Sequence, residues 1–163
     1  MLPVGTVLHP TDFSENSEFA FRVACALARD YNARLILLHV IPPPTMIYAG
    51  GPIPAETWPS TEEAQEKLRQ LEGRAHKVRV ESQVLEGDPV DMILRAAEET
   101  GSDVIVMGTH GRTGLGRLLL GSVAESVIRK APCPVLSAKP VPARQKAVEE
   151  SEVKPGATAV VHA

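Results

Sequence analysis

Two kinds of segment alternate along this chain of 163 residues, and their alternation is the feature that most constrains its fold. Short apolar runs occur at residues 4–9, 35–41, 104–107 and 135–137. Between them lie stretches in which apolar residues recur at every third or fourth position. The runs predict β-strands and the stretches predict α-helices. Strands that alternate with helices indicate βαβ units, and therefore a parallel sheet.

Capping residues predict where individual helices begin and end. Ser60 and Glu63 have the spacing of a capping box at the start of the second helix. Asp88 and Pro89 give the third helix a side-chain cap and a proline in its first turn. Gly101 follows the last apolar residue of that helix and predicts its end.

Strand patterns predict the order of the strands in the sheet. The runs at 35–41 and 104–107 are almost continuously apolar, which is typical of strands covered on both faces. The third strand instead alternates, with Val78, Val80 and Val84 separated by polar residues, and the fifth lies between prolines. Both patterns indicate edge strands. If sequential strands stay adjacent, the order is 3-2-1-4-5.

We therefore predict an α/β fold: a single open five-stranded parallel sheet with helices on both faces, of the Rossmann-like type. This domain would span residues 1–140. Residues 141–163 combine charge and proline with no helical face, so we expect a flexible C-terminal tail. Residues 42–59 contain six prolines and predict a long, mobile loop.

Charge and cysteine content narrow the functional class. The chain carries 17 Lys and Arg against 20 Asp and Glu, a formal net charge of −3, which does not favour nucleic acid or an anionic membrane as a partner. Cys25 and Cys133 lack metal-ligand spacing and indicate reduced thiols of an intracellular protein. His9 and His39 lie in predicted strands and are more typical of core histidines than of metal ligands. We find no signal-peptide start and no apolar run long enough for a bilayer, so we expect a cytoplasmic protein.

The segment after the fourth strand has the composition of an anion site. Four glycines and two arginines lie between Gly108 and Arg117, and a helix is predicted to start at Gly121-Ser122. Glycines allow close approach to backbone N–H groups, and a helix start adds unpaired N–H groups and a positive dipole end. The segment lies where the strand order reverses, which is where open α/β sheets bind ligands. It is not a Walker A loop, because no lysine precedes Ser122, and Leu119 interrupts the dinucleotide fingerprint.

Asp12 follows the first strand, across the predicted switch point from Gly108. Two interpretations stay open for this carboxylate. It can accept hydrogen bonds from ribose hydroxyls, as acidic residues do in other nucleotide folds. It can also cap the following helix or interact with its dipole, a role that Ser14 suits as well. A phosphate loop on the opposite side favours the ribose interpretation.

Three stretches together resemble the ATP-binding universal stress proteins. The pattern Gly-x2-Gly-x9-Gly-Ser runs from Gly108 through Gly111 to Gly121 and Ser122. The opening HPTDFS at 9–14 and the ending APCPVL at 131–136 are also similar to that family. The resemblance covers about residues 2–139, which is the whole chain except the tail.

The resemblance implies a nucleotide site, a metal and a dimer. Adenosine would lie at the ends of the first, second and fourth strands, with Asp12 on the ribose, and the later residues would bind phosphate. ATP would carry Mg²⁺ or Mn²⁺ on its phosphates, and a homodimer would form through the last strand. Many relatives have a hydroxyl residue where this chain has Ala124, which puts one contact to phosphate or metal in doubt. The implied nucleotide-binding residues are Pro10, Thr11, Asp12, Val40, Met107, Gly108, His110, Gly111, Arg112, Gly121, Ser122 and Val123.

The function implied is that of an ATP-binding regulatory protein of the stress response, in which nucleotide stabilises one conformation of a homodimer. A slow ATPase or a self-phosphorylating protein is the first alternative, with Ser122 or Thr113 as acceptor. Efficient phosphoryl transfer needs a group that positions the nucleophile, and the sequence indicates none. The second alternative is a dimeric interaction module without nucleotide, against which Asp12, Gly111 and Gly121 argue. A cyclic nucleotide would have to fit the same groups.

Overall fold

The computed structural model describes residues 3–43, 47–48, 51–52, 58–109 and 121–140 of the chain. Within these ranges, strands and helices alternate as the sequence predicts. The strands are β1 (Thr6–Pro10), β2 (Arg34–Ile41), β3 (Ile47–Tyr48), β4 (Gly51–Pro52), β5 (Arg79–Glu86), β6 (Val104–Gly108) and β7 (Val135–Ala138). The helices are α1 (Glu15–Asp30), α2 (Thr61–Arg74), α3 (Pro89–Thr100) and α4 (Ser122–Lys130).

The five longer strands form one sheet in the order β5-β2-β1-β6-β7. Every neighbouring pair in this sheet is parallel. Counted along the chain without the two short strands, this is the order 3-2-1-4-5, so the predicted fold class is confirmed. The alternating third strand and the proline-bounded fifth strand both lie at edges.

Helices cover both faces of the sheet and divide the core into two clusters. Phe21 of α1 and Leu68 of α2 pack with Val7 on one face. Ile93 of α3 and Val127 of α4 pack with the next residue of β1, Leu8, on the other face. The two cysteines lie in different clusters, because Cys25 packs on the α1/α2 face and Cys133 on the α3/α4 face. Both are free thiols.

The predicted caps hold the helix starts. Ser60 accepts a hydrogen bond from the backbone N–H of Glu63 at 3.2 Å, and the Glu63 carboxylate accepts from the Ser60 N–H at 3.0 Å, which completes the capping box. The Asp88 carboxylate accepts from the N–H of Val90 at 2.9 Å. Gly101 ends α3 with φ of 59°, in the left-handed region that favours glycine.

One prediction about the 42–59 segment needs correction. β3 and β4 pair antiparallel there, with Ile47 opposite Pro52 and Tyr48 opposite Gly51, so the segment contains a short hairpin. Strands of two residues are too short to produce a hydrophobic period, and the surrounding prolines hid them. Residues 141–163, assigned to a flexible tail, lie outside the described residues.

Candidate functional site

The candidate site lies at the carboxyl ends of two adjacent strands, β1 and β6. These strands pair directly, with Val7 opposite Val104 and Leu8 opposite Ile105. The chain runs outward from β1 in both directions, to β2 on one side and to β6 on the other. The predicted switch point is therefore present in the structure. It is bounded by the turn from β1 to α1 and by the ends of the segment that joins β6 to α4.

Side-chain hydrogen bonds hold the β1–α1 turn. The Thr11 hydroxyl oxygen accepts from the Phe13 N–H at 3.1 Å and from the Ser17 hydroxyl at 2.8 Å. Thr11 is 7% exposed and its N–H donates to the Leu38 carbonyl of β2 at 2.8 Å. The turn is thus fixed to both α1 and β2.

Asp12 makes a local bond and keeps one oxygen available. Its Oδ1 accepts from the Ser14 N–H at 3.0 Å. Ser14, not Asp12, is the N-cap of α1, since its side chain accepts from the Ser17 N–H at 3.3 Å. The cap interpretation therefore belongs to Ser14. Among the described residues, no hydrogen bond or ion pair engages Oδ2 of the partly exposed Asp12.

Phe13 has an unusual backbone and a packed ring. Its φ of 62° lies in the left-handed region, which is unfavourable for a residue with a bulky side chain. The ring contacts the imidazole of His39 with centroids 4.5 Å apart, and the Lys67 ammonium lies 5.2 Å from the same ring. His39 also places Nδ1 2.7 Å from the Thr11 carbonyl oxygen.

A separate cavity of about 190 Å³ opens beside this turn, between α1 and α2. Phe13, Lys67 and Arg74 are among its lining residues, whereas Asp12, Gly108 and Gly121 are not. The cavity belongs to the α1/α2 face of the sheet, while α4 packs on the opposite face. The cavity therefore shares Thr11 with the switch-point site but lies on the α1/α2 side of the sheet.

The end of β6 approaches α1 so closely that glycine is favoured at position 108. A Cβ atom at Gly108 would lie 3.1 Å from the backbone carbon and oxygen of Asn16 and 3.2 Å from the Ser17 nitrogen. These are helix backbone atoms, which cannot move aside as a flexible side chain would. Packing against α1 therefore explains this glycine, in addition to any approach by a ligand.

The segment between β6 and α4 is closed at its ends by a hydrogen bond. The Gly121 N–H donates to the Thr109 carbonyl at 2.7 Å, and the Thr109 N–H donates to the Ala138 carbonyl of β7 at 3.3 Å. Residues 110–120, including His110, Gly111 and Arg112, lie outside the described residues. Their predicted contacts with phosphate stay predictions.

The start of α4 offers backbone N–H groups. Gly121 is the N-cap, with φ of −59° and ψ of 147°, and it provides no side-chain cap. The Glu125 N–H donates to the Gly121 carbonyl at 2.9 Å, so the N–H groups of Ser122, Val123 and Ala124 precede the first bond within the helix. Ala124 is 3% exposed and packs in the α3/α4 core cluster. A side chain at 124 therefore points into the core, where this chain has no hydroxyl.

Val40 and Met107, the remaining predicted contacts, lie at the ends of β2 and β6. Val40 is 8% and Met107 6% exposed, and both side chains pack in the α3/α4 cluster. Pro10 ends β1. All described members of the predicted set thus lie at the carboxyl ends of β1, β2 and β6 or at the start of α4. Their contacts with nucleotide stay predictions.

Buried histidines support both strands of the site. His9 is fully buried, and burial lowers its pKa from 6.5 to about 4, so the ring is neutral near pH 7. Its Nδ1 lies 2.8 Å from the Val106 carbonyl oxygen of β6. Sequence reasoning classed His9 and His39 as core residues but missed their partners, as it missed the role of Ser17. A polar residue at a buried position near the carboxyl end of a strand is the signal that points to such a role.

The described residues contain no group of three His, Cys, Asp or Glu side chains that could hold a metal ion. In the same part of the chain, no helix has the length and apolar character needed to cross a membrane. Among the described residues, the site offers backbone N–H groups at the start of α4, the Asp12 carboxylate and the hydroxyls of Thr11 and Ser122.

The fold defines a parallel α/β domain, in which the predicted site residues lie at the topological switch point. The family model described as "Universal stress protein family" matches residues 3–139. The chain belongs to the universal stress protein family. Universal stress protein MJ0531 of Methanocaldococcus jannaschii is 39% identical to it over 141 residues, which cover 82% of this chain and 81% of that protein.

Solved structures show the same fold. That of MJ0577 from the same organism has a TM-score of 0.72 and 32% identity, covering 87% of this chain and 100% of its own. A universal stress protein in complex with cAMP has a TM-score of 0.66 and 27% identity, with coverage of 84% and 98%. One from Archaeoglobus fulgidus in complex with dAMP has a TM-score of 0.60 and 26% identity, with coverage of 85% and 100%.

Proposed function

We propose that this protein binds an adenine nucleotide, ATP with Mg²⁺ or Mn²⁺, at the switch point between β1 and β6. Binding would stabilise one conformation of a cytoplasmic homodimer that acts in the stress response. The observation that carries the proposal is the start of α4, which has no side-chain cap at Gly121 and is tied to the end of β6 through Thr109.

The phosphate half of the proposal rests on backbone donors for which the described part of the chain shows no hydrogen-bond partner. Three N–H groups, those of Ser122, Val123 and Ala124, precede the first bond within α4. The positive end of the helix dipole lies at the same place, which favours an anion. Gly111 and Arg112 would add contacts from the segment between Thr109 and Gly121. The metal ion would be held by the phosphates, and its charge would neutralise them.

The ribose half rests on Asp12. Its Oδ1 is engaged by the Ser14 N–H, while Oδ2 has no partner among the described residues and can accept from ribose hydroxyls. Two relatives have been solved with adenine nucleotides, cAMP and dAMP, which supports an adenine nucleotide here. The choice of ATP rests on the Gly108-to-Ser122 pattern.

The dimer, the third part of the proposal, rests on the β7 edge. In the described residues, β7 pairs with β6 alone, so its other side is open for pairing. Leu136 of β7 is 43% exposed and Ile128 of the adjacent α4 is 42% exposed. Two large apolar side chains beside an open strand edge fit an interface with a second copy through this strand.

A slow ATPase or a self-phosphorylating protein is the second candidate. What favours it is Ser122, an exposed hydroxyl in the first turn of α4, next to the proposed phosphates. Transfer also needs a group that positions the nucleophile. Glu125, the carboxylate in the same turn, is paired with Arg129 at 3.0 Å. We therefore expect any phosphate release to be slow.

Calorimetric titration with ATP, AMP and cAMP in the presence of Mg²⁺ tests the proposal, after co-purified nucleotide is removed. We expect micromolar-range ATP binding by the wild type and loss of binding in Gly121→Val. Asp12→Asn should weaken ATP binding about tenfold or more, because hydrogen bonds to a charged acceptor are the stronger kind. Gly73→Ala, in α2, is the matched glycine control and should bind normally.

Absence of ATP binding by a folded wild-type dimer would overturn the proposal and leave an interaction module. Sustained phosphate release that Gly121→Val abolishes would instead identify an enzyme. Sedimentation of Leu136→Glu tests the dimer, which should dissociate because the change places charge at the exposed position on β7.

A further inference from the structure

We propose that His39 is a positioning residue of the nucleotide site, which fixes the orientation of Asp12 by holding the residues on both sides of it. The inference rests on the proposed function, because it assigns Asp12 to the ribose. His39 makes no contact with nucleotide in this proposal. It acts through Thr11 and Phe13.

The first contact is a hydrogen bond to the residue before Asp12. His39 is 1% exposed, and its Nδ1 lies 2.7 Å from the Thr11 carbonyl oxygen. A carbonyl can only accept, so Nδ1 carries the proton and donates. The preceding residue of β2, Leu38, accepts from the Thr11 N–H at 2.8 Å. Consecutive residues of β2 therefore hold both polar groups of the Thr11 backbone.

The second contact is with the residue after Asp12. The rings of His39 and Phe13 have centroids 4.5 Å apart and planes inclined at 31°. Phe13 keeps a left-handed backbone, φ of 62°, which a bulky side chain adopts only when its surroundings impose it. His39 and the Lys67 ammonium both lie against the ring and hold it. Without the imidazole, the turn can relax to a conformation in which Asp12 points elsewhere.

Core packing alone does not require a histidine at this position. Neighbouring buried positions of β2 are aliphatic, as at Leu37 and Val40. A buried imidazole is costly unless its polar atoms are bonded, and the Thr11 carbonyl provides the bond to Nδ1 of His39. The contacts with Thr11 and Phe13 explain the imidazole, because they hold the residues on either side of Asp12.

His9 provides a matched control inside the same protein. It lies on the neighbouring strand, is fully buried, and has Nδ1 2.8 Å from a carbonyl oxygen, as His39 has. Its partner is Val106 of β6, a strand that already pairs with β1 in the sheet. Its ring also faces Phe21 of α1, whereas the ring of His39 faces Phe13 of the turn. Changes at His9 should therefore destabilise the fold and affect both ligands of the test equally.

The test compares variants that separate the two contacts. His39→Phe keeps a ring against Phe13 and removes the donor, while His39→Asn keeps an N–H near the position of Nδ1 and loses the ring. His9→Phe and His9→Asn are the controls. The readout is the ratio of the affinities for ATP and 2′,3′-dideoxy-ATP, because only the ribose hydroxyls distinguish these ligands. Hydrogen exchange of the Phe13 and Ser14 amides in the free protein is measured in parallel.

We expect His39→Phe to weaken ATP binding about tenfold, the effect of one lost hydrogen bond to a charged group, with little change for the dideoxy ligand. Its affinity ratio should approach one, and the Phe13 and Ser14 amides should exchange faster. His39→Asn should recover most of the ratio. Both His9 variants should melt at lower temperature and keep the wild-type ratio within about twofold, well below the tenfold change expected for His39→Phe.

An unchanged ratio in His39→Phe, or an equal loss in His9→Phe, would overturn the inference. If His39→Phe does not fold, His39→Leu removes the same donor with a smaller side chain. If the wild type binds no ATP, the proposed function fails. The hydrogen-exchange data alone then decide whether His39 positions the turn. In that case the inference is rejected unless the His39 variant exposes the Phe13 and Ser14 amides more than the His9 variant does.

Discussion

The two halves of the candidate site are built by opposite means. The β1–α1 turn is organised by side chains, since Thr11, Ser17 and His39 bond to one another or to the turn backbone. The start of α4 and the end of β6 are organised by missing side chains, at Gly108 and Gly121. The first half can be damaged by removing atoms and the second by adding them.

This difference separates what each half can recognise. A carboxylate held by a network of side chains suits a ligand group with directional donors, such as the hydroxyls of a sugar. Backbone N–H groups at a helix start suit a group that carries negative charge on several acceptor oxygens, such as phosphate. The comparison therefore predicts which kind of substitution harms each half.

Acidification should give the largest effect, because it acts on His9, the side chain that joins β1 to β6. Burial lowers the pKa of His9 from 6.5 to about 4. Between these values the unfolded chain binds a proton that the folded chain does not. The free energy of unfolding is therefore unaffected by protonation of His9 above pH 6.5. It falls as the pH decreases from 6.5 toward 4, because unfolding then allows the ring to bind a proton. A shift of this size corresponds to roughly 3 kcal/mol of unfolding free energy.

Urea unfolding at pH 7 and pH 4 measures this loss in the wild type and in His9→Asn. The variant has the same carboxylates and lacks only the titrating imidazole, so the difference between the two proteins isolates His9. Equal losses of unfolding free energy in the wild type and in His9→Asn would show that other groups control the acid sensitivity. The contact of His9 between β1 and β6 would then not respond to pH.

Gly108→Ala should have the next largest effect. The added Cβ would meet Asn16 backbone atoms at 3.1 Å, so β6 and α1 must separate. Overpacking of this kind costs roughly 2 kcal/mol. Gly73→Ala is the control, because no atom lies within 4 Å of its added Cβ. That helical position should gain roughly 0.5–1 kcal/mol from the same substitution. If the urea midpoints of Gly108→Ala and Gly73→Ala shift in the same direction, the close packing of β6 on α1 at Gly108 is contradicted.

Thr11→Val should have the smallest of the three effects. It keeps the shape and removes the hydroxyl oxygen that accepts from Phe13 and Ser17, at a cost of about 1 kcal/mol. The matched control is Thr6→Val at the other end of β1, where the hydroxyl accepts from the Arg34 guanidinium at 3.3 Å. Thr11→Val should weaken ATP binding and Thr6→Val should not. Equal ATP affinities of Thr11→Val and Thr6→Val in calorimetry would contradict the assignment of the β1–α1 turn to the site.

Local signals predicted most of the fold. The alternation of Val78, Val80 and Val84 identified the β5 edge, and the Ser60–Glu63 spacing identified a capping box that the structure contains. Such signals act between residues a few positions apart, so the sequence displays them directly. The β3–β4 hairpin was missed because two-residue strands carry no period.

The site was predicted in outline but not in its connections. The glycine pattern and Asp12 indicated two segments. The predicted strand order placed both at the carboxyl ends of neighbouring strands. The bond from His39 to Thr11 joins residues 28 positions apart, and the contact of Gly108 with Asn16 joins β6 to α1. Such pairs depend on how strands and helices pack, which no local spacing displays. The nucleotide contacts themselves stay predictions.

The placement of the two thiols on opposite faces has a chemical consequence. Cys25 and Cys133 lie on opposite faces of the sheet. A disulfide requires Cα atoms within about 7 Å, so these two thiols should not form an intramolecular disulfide in the folded protein. Burial raises the pKa of Cys25 to about 11 and raises that of Cys133. Little reactive thiolate is therefore present at neutral pH. Peroxide should therefore react slowly with both thiols, and treatment of the native protein should leave Cys25 and Cys133 open to alkylation after unfolding.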